Sequence, residues 1–424
     1  MALTVDTGQV AANTGSATTT ITVTAQGKAI ILFTTGQTAN GSDTAANASF
    51  SFGFSNGVSA GRCEAWAADD NVGTTNCASS HYVDRPLVIF SNGTPTVLRY
   101  ITAVAFTNST TTTLTWDGTP AAAYLVGYMQ FGGSDITDVG MGGTTNPTST
   151  GDNTVTGIGF QPDFGVFICN PLVSSGNTTR SNIGIGFAVS NSKQFSMCMG
   201  IDDAATMTAT IDAVSYTNSA AFLSGITAGA ETIDFLASFG TAGNPTGWNS
   251  DGFDYNVSNA ATTGSFSYLL IKGGQWDVGT TTAPTSGART ITGMAFQPKG
   301  LLLANTRATA DATVTINALS GIGAATSTST ETYGWSQQND AVLNTTVDRS
   351  TGSDRIGVNN FSFPFSSQLD FSSFSSGGWE INETSTGTAV QLGWFAMGDN
   401  VVSAPLGKKV LPGLLARRRF GLVP

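Results

Sequence analysis

The chain of 424 residues contains a single histidine, His81, next to Tyr82 and close to Asp84. It is the one side chain that ordinarily exchanges a proton near neutral pH. A serine joining His81 and Asp84 would make a Ser-His-Asp arrangement, but no GxSxG nucleophile elbow accompanies it, so a structural loop histidine is the favoured reading. Acidic pairs are the other lead: Asp69-Asp70, Asp202-Asp203 and the half-pair Asn339-Asp340 recur at similar spacing. Glycoside hydrolysis uses two facing carboxylates. Neighbours on a strand point to opposite faces, and the third pair keeps only one acid, which favours solvated turns with Asx hydrogen bonds. No DxDxDG loop is present, so no metal is expected.

The glycine-rich stretch 139–145, VGMGGTT, lacks the GxxxxGK[ST] or strand-GxGxxG-helix context of a phosphate cradle and reads as a linker. Four cysteines, Cys63, Cys77, Cys169 and Cys198, show neither CxxC spacing nor a nearby histidine cluster. Zinc and redox roles are therefore unsupported, and no cofactor is expected. Cys63 with Cys77 and Cys169 with Cys198 could each close a disulfide, and buried free thiols fit equally well. Trp116, Trp248 and Trp379 could stack on sugars, but their recurrence before a core strand favours packing.

The elements that must carry these residues repeat. Residues 160–168 read FQPDFGVFI, residues 296–303 read FQPKGLLL and residues 25–33 read AQGKAIILF, placing Gln26, Gln161 and Gln297 at spacings of 135 and 136. The three tryptophans are spaced by 132 and 131, and each is followed by a further apolar run, at 121–133, 264–274 and 387–399. Apolar runs of four to eight residues, alternating segments such as TLTWD and QLDFSSF, and frequent NG, GG, SG and DG pairs are the pattern of short antiparallel strands. Only 63–68, 202–208 and 337–342 suggest a short helix or loop.

The predicted fold is all-β: three tandem β-sandwich, jelly-roll-like domains from a repeat of about 130 residues, plus an extended C-terminal arm. The domains span 1–140, 141–280 and 281–400, and the arm spans 401–424.

Charged residues are only 11%, and Thr, Ser, Asn and 51 Gly take their places, a composition that favours pleated strands and tight turns. The net charge is −11, yet Gly407 to Pro424 holds five cations and no acid, so the rest carries 12 basic against 28 acidic residues, a net of −16. That body should repel nucleic acid and acidic membranes. The arm combines Lys408, Lys409, Arg417, Arg418 and Arg419 with Leu411, Leu414, Leu415 and Phe420, and two prolines break any helix. It reads as a docking arm whose apolar residues insert into a neighbouring subunit while its cations meet an acidic surface. Folding back on the third domain is the plainer alternative, and binding of packaged nucleic acid is the weakest. MALTVDTGQV shows no signal peptide, and no apolar run reaches the ~18 residues of a membrane span.

Residues 157–168, GIGFQPDFGVFI, resemble the GFQPD-type repeats of structural proteins of tailed bacteriophages, notably tail-fibre and other virion-surface proteins. The likeness covers the start of the second and third repeats. It brings no catalytic residues with it. It implies a non-enzymatic virion component, a tail fibre, tail tip or head decoration, made in the host cytoplasm and released by lysis. The expected partners are other virion proteins and further copies of the chain. A carbohydrate-binding adhesin that recognises a host surface glycan is the alternative, and a glycan-degrading tailspike the third.

Overall fold

In the computed structural model the described residues are 2–43, 48–58, 60–69, 77–90, 96–178, 181–201, 211–227, 232–261, 263–316, 318–339, 346–358, 368–384 and 389–400. Among them there is no helix, and every pairing between strands is antiparallel. The protein is all-β. Six sheets form three pairs, each a seven-stranded sheet with a smaller one.

The first large sheet runs in the order Leu3–Ala11, Leu125–Gly133, Gly27–Thr34, Ala48–Ser55, Arg62–Ala68, Cys77–Tyr82. The second repeats that order with Ile136–Thr145, Ser265–Gly273, Phe164–Asn170, Ser181–Ser190, Lys193–Ile201 and Ile211–Thr217. The third does so with Gln275–Thr282, Gln391–Gly398, Gly300–Asn305, Ala318–Ala325, Glu331–Asn339 and Thr346–Gly352. The last four strands of each follow one another in the chain, but for one short strand between the first two, and lie side by side as a meander, where a jelly roll would alternate between its two sheets.

The seventh strand of each large sheet comes from another module. Gly176–Thr178 completes the first sheet, Thr315–Ile316 the second and Gly41–Asp43 the third. The exchange closes in a ring and covers one open edge of every large sheet, the edge that would otherwise template pairing with another chain.

Alternation gives the large sheets two apolar faces. Outward, each packs on its small sheet. In the first module Ile30, Leu32 and Val126 meet Ile21, Leu87, Ile101 and Trp116; in the second Phe167 and Leu270 meet Phe222, Phe239 and Phe253; in the third Leu301 and Leu303 meet Leu369, Phe371 and Trp379. Inward, all three share one core that includes Phe33 and Phe131, Phe164 and Phe187, and Leu302 and Phe395. Trp276 stacks on Phe164 at 4.3 Å between ring centres, and Phe395 lies 4.8 Å from Phe164. The sandwiches are thus not separate beads on a string, because their inner faces have only one another to bury against.

A glycine fixes the same close approach three times. A β-carbon on Gly53, Gly186 or Gly323 would lie 2.3, 1.9 or 1.5 Å from the carbonyl oxygen of Pro86, Ala221 or Ile356, each just ahead of or beginning a strand of the small sheet. These glycines therefore mark equivalent positions in the three modules.

Several expectations need correction. The stretch 139–145 is no linker: it lies in Ile136–Thr145, the first strand of the second large sheet, where Gly142 and Gly143 leave room for the side chains of Tyr268 and Arg62. Residues 63–68 form a strand, with Trp66 and Ala68 turned into the shared core.

The disulfides are absent, and Cys63, Cys77, Cys169 and Cys198 are buried thiols. In the hairpin, Cys63 lies opposite Tyr82 and Cys77 opposite Ala68, so the two thiols sit at opposite ends and on opposite faces. Cys169 and Cys198 both pair with Gly184, from either side, which separates them by two strand spacings, about 9–10 Å, beyond the reach of a disulfide.

Candidate functional site

The three tryptophans are buried, at 3% exposure for Trp116, 8% for Trp248 and none for Trp379, so none offers a sugar platform. The indole N–H of Trp116 donates to Thr19 Oγ1 at 3.0 Å and that of Trp248 to the Val189 carbonyl at 2.7 Å. Of the acidic pairs, Asp69 is half-buried at the end of its hairpin strand, whereas Asp70, Asp202, Asp203 and Asp340 lie outside the described residues. So does the whole arm, with Lys408, Lys409, Leu411, Leu414, Leu415, Arg417, Arg418, Arg419 and Phe420. Among the described residues no three His, Cys, Asp or Glu side chains come together as a metal site.

His81 is where the structure departs most from the sequence reading. Asp84 turns instead to Arg85, at 3.5 Å, and the Tyr82 hydroxyl donates to Asn177. Cross-strand pairing places His81 opposite Glu64, and both side chains face inward to the seam between the first and second large sheets. There His81 Nδ1 lies 2.5 Å from Glu64 Oε1, and His81 Nε2 lies 3.2 Å from Ser265 Oγ. Asn170 Nδ2 donates to the other Glu64 oxygen. Glu64 is fully buried and His81 is 1% exposed. Burial pushes the Glu64 carboxyl above its ordinary range, with His81 and Asn170 pulling it part of the way back.

Serine, histidine and carboxylate thus stand in the order of a hydrolase triad, but the protons run the wrong way. The Ser265 hydroxyl has one proton, and it goes to the Leu172 carbonyl at 2.5 Å. His81 Nε2 must then donate to Ser265 Oγ, so it is in no state to accept that serine's proton. The cluster is a buried hydrogen-bonded network of His81, Glu64, Asn170 and Ser265.

Beside it stands Arg62, two residues before Glu64 on the same strand face. Its Nη1 donates to Ser267 Oγ at 3.3 Å, and among the described residues no carboxylate reaches it. Burial lowers its pKa from the ordinary arginine value. Arg62, His81 and Ser265 line an open groove of about 250 Å³ with Thr144, Thr145 and Val173. Larger grooves flank Lys28, but its ammonium already donates to the Ile136 carbonyl.

Sequence reasoning missed Arg62, Glu64, Asn170 and Ser265. One signal was there: Arg62 and Glu64, one residue apart in a chain poor in charge, flank a cysteine in an otherwise apolar strand. Compared with known proteins, the sequence matches no family model and no curated protein.

Proposed function

We propose that the chain is a non-catalytic structural component of the outside of a tailed-bacteriophage particle, docked through residues 401–424. The observation that carries this reading is the closed ring of three similar modules. One chain makes what a homotrimer of surface subunits would make, with exchanged edge strands and a common apolar axis. Such a body buries each inner sheet face and blunts an edge of each large sheet, which suits a component that must persist outside a cell. The hydroxyl-rich, weakly charged composition and the likeness of residues 157–168 to phage surface repeats support the same reading.

Immunogold labelling of purified particles with antibody against the chain tests it. Regular labelling at one particle location is expected. Bare particles, with the antigen confined to the soluble lysate, would refute it.

A further inference from the structure

The three modules allow an internal comparison of their seams. Gly53, Gly186 and Gly323 are equivalent, and the residues opposite them are Cys63, Ser196 and Tyr333. Counting from these, Arg62 corresponds to Phe195 and Thr332, and Glu64 to Met197 and Gly334. Across the next hairpin, His81 corresponds to Ser215 and Thr351, which lie opposite Met197 and Gly334. The second seam is closed by Ser215 Oγ donating to Gln391 Oε1 at 2.6 Å, and the third by Gln9 Nε2 donating to Thr351 Oγ1 at 3.1 Å. The fold therefore needs only apolar or neutral side chains at these places. Only the first seam has Arg, Glu and His, and desolvating an ion typically costs several kcal/mol.

Glu64 and His81 compensate each other, but among the described residues Arg62 has only a neutral serine hydrogen-bonded to its side chain, at 3.3 Å. Gly143 makes room for it, since a β-carbon there would lie 2.6 Å from Nη1. The guanidinium is thus fitted into the wall of an open groove, with no carboxylate paired to it among the described residues. The rim is apolar: Val83, 40% exposed, and Val173, 54% exposed, line this groove and are two of only four large apolar side chains that stand exposed among the described residues. Hydroxyl-bearing Thr144, Thr145 and Ser265 complete the lining.

We propose that this groove binds a single acidic sugar unit, whose carboxylate is held by Arg62 and whose C–H face rests on Val83 and Val173. A guanidinium takes a carboxylate through paired hydrogen bonds. Thr144, Thr145 and Ser265 supply partners for the ring hydroxyls, and a volume of about 250 Å³ suits a unit of ring size. The acidic body disfavours a long polyanion, since the chain's net charge of −11 would repel it before contact. The site does not depend on where the chain resides.

The test is calorimetric titration of the full-length protein with D-galacturonate and, separately, D-galactose. Galacturonate is expected to bind at least tenfold more tightly, with the preference shrinking in 0.5 M NaCl. Arg62→Gln should erase it, and Arg99→Gln, on the first module's small sheet, should leave it intact. Equal binding of the two sugars, no saturable binding of galacturonate, or an undiminished preference in a folded Arg62→Gln protein would each overturn the proposal. Should that variant not fold, the sugar comparison and its salt dependence on the unaltered protein decide alone. Because the isolated chain is used, the outcome is independent of the particle labelling.

Discussion

Glu331 offers a pH-dependent stability that can be worked from its surroundings. It opens the strand Glu331–Asn339 opposite Ala325 and is 2% exposed, and the Phe371 N–H donates to its Oε2 at 3.3 Å. Arg355, whose charge favours the ionised form, is engaged with Asp354 at 2.6 Å, while Asp354 and Asp370 add like charge. Burial, with those acids, raises its pKa from 4.5 to about 7. The folded state therefore holds a proton that the unfolded chain releases at lower pH. The associated stability is fully present below about pH 4.5 and is lost as pH rises through about 7. At ~1.4 kcal/mol per pH unit, the loss is about 3 kcal/mol. Glu331→Gln keeps the shape and removes the titration. In urea unfolding followed by tryptophan fluorescence, the variant should gain on the unaltered protein by about 3 kcal/mol between pH 4.5 and 8, with no further change above. A gap constant over that range would show that Glu331 is ionised in the folded protein throughout, and the reasoning would fail.

Gly323→Ala should lower stability by about 3 kcal/mol, because the new β-carbon would lie 1.5 Å from the Ile356 carbonyl, whereas Gly118→Ala, with open space around it, should change little; equal melting temperatures would refute the close approach. The four cysteine thiols should be silent to a thiol reagent in the native protein and all react after denaturation without reductant, since burial raises the pKa of Cys63 and Cys169 and all four are buried. Fewer than four reactive thiols would reveal a disulfide.

The strands were legible in the sequence where apolar runs are continuous. Gln26, Gln161 and Gln297 do precede equivalent strands, Gly27–Thr34, Phe164–Asn170 and Gly300–Asn305. The tryptophan spacing misleads in register: Trp379 begins its hairpin strand opposite Phe374, whereas Trp116 ends the corresponding strand, so similar spacing does not mean the same place. The strand Ile136–Thr145 passed for a linker because its glycines show no apolar pattern, the packing being supplied by Tyr268 and Arg62 lying over them. The exchanged strands have two or three residues each, too few for any periodicity. The polar seam draws Glu64, His81, Asn170 and Ser265 from four strands of two modules, a convergence that pairing creates and spacing cannot reveal.

Joining three modules in one chain changes what such a seam can hold. In a ring of identical subunits any residue is copied three times, so a buried arginine, glutamate and histidine would be desolvated at every seam around the same apolar axis. Here Phe195, Met197 and Ser215 put no charge at the matching places of the second seam, and Thr332, Gly334 and Thr351 put none there at the third; the second carries its ion pair elsewhere, between Lys193 and Asp277 at 2.6 Å. The shared core, in which Phe131 and Phe164 both meet Phe395, is then free to supply the cohesion. A polar, partly uncompensated first seam is tolerable because that core and two seams that are uncharged at the matching places hold the ring closed around it, which is the physical condition for a single binding groove on a threefold body.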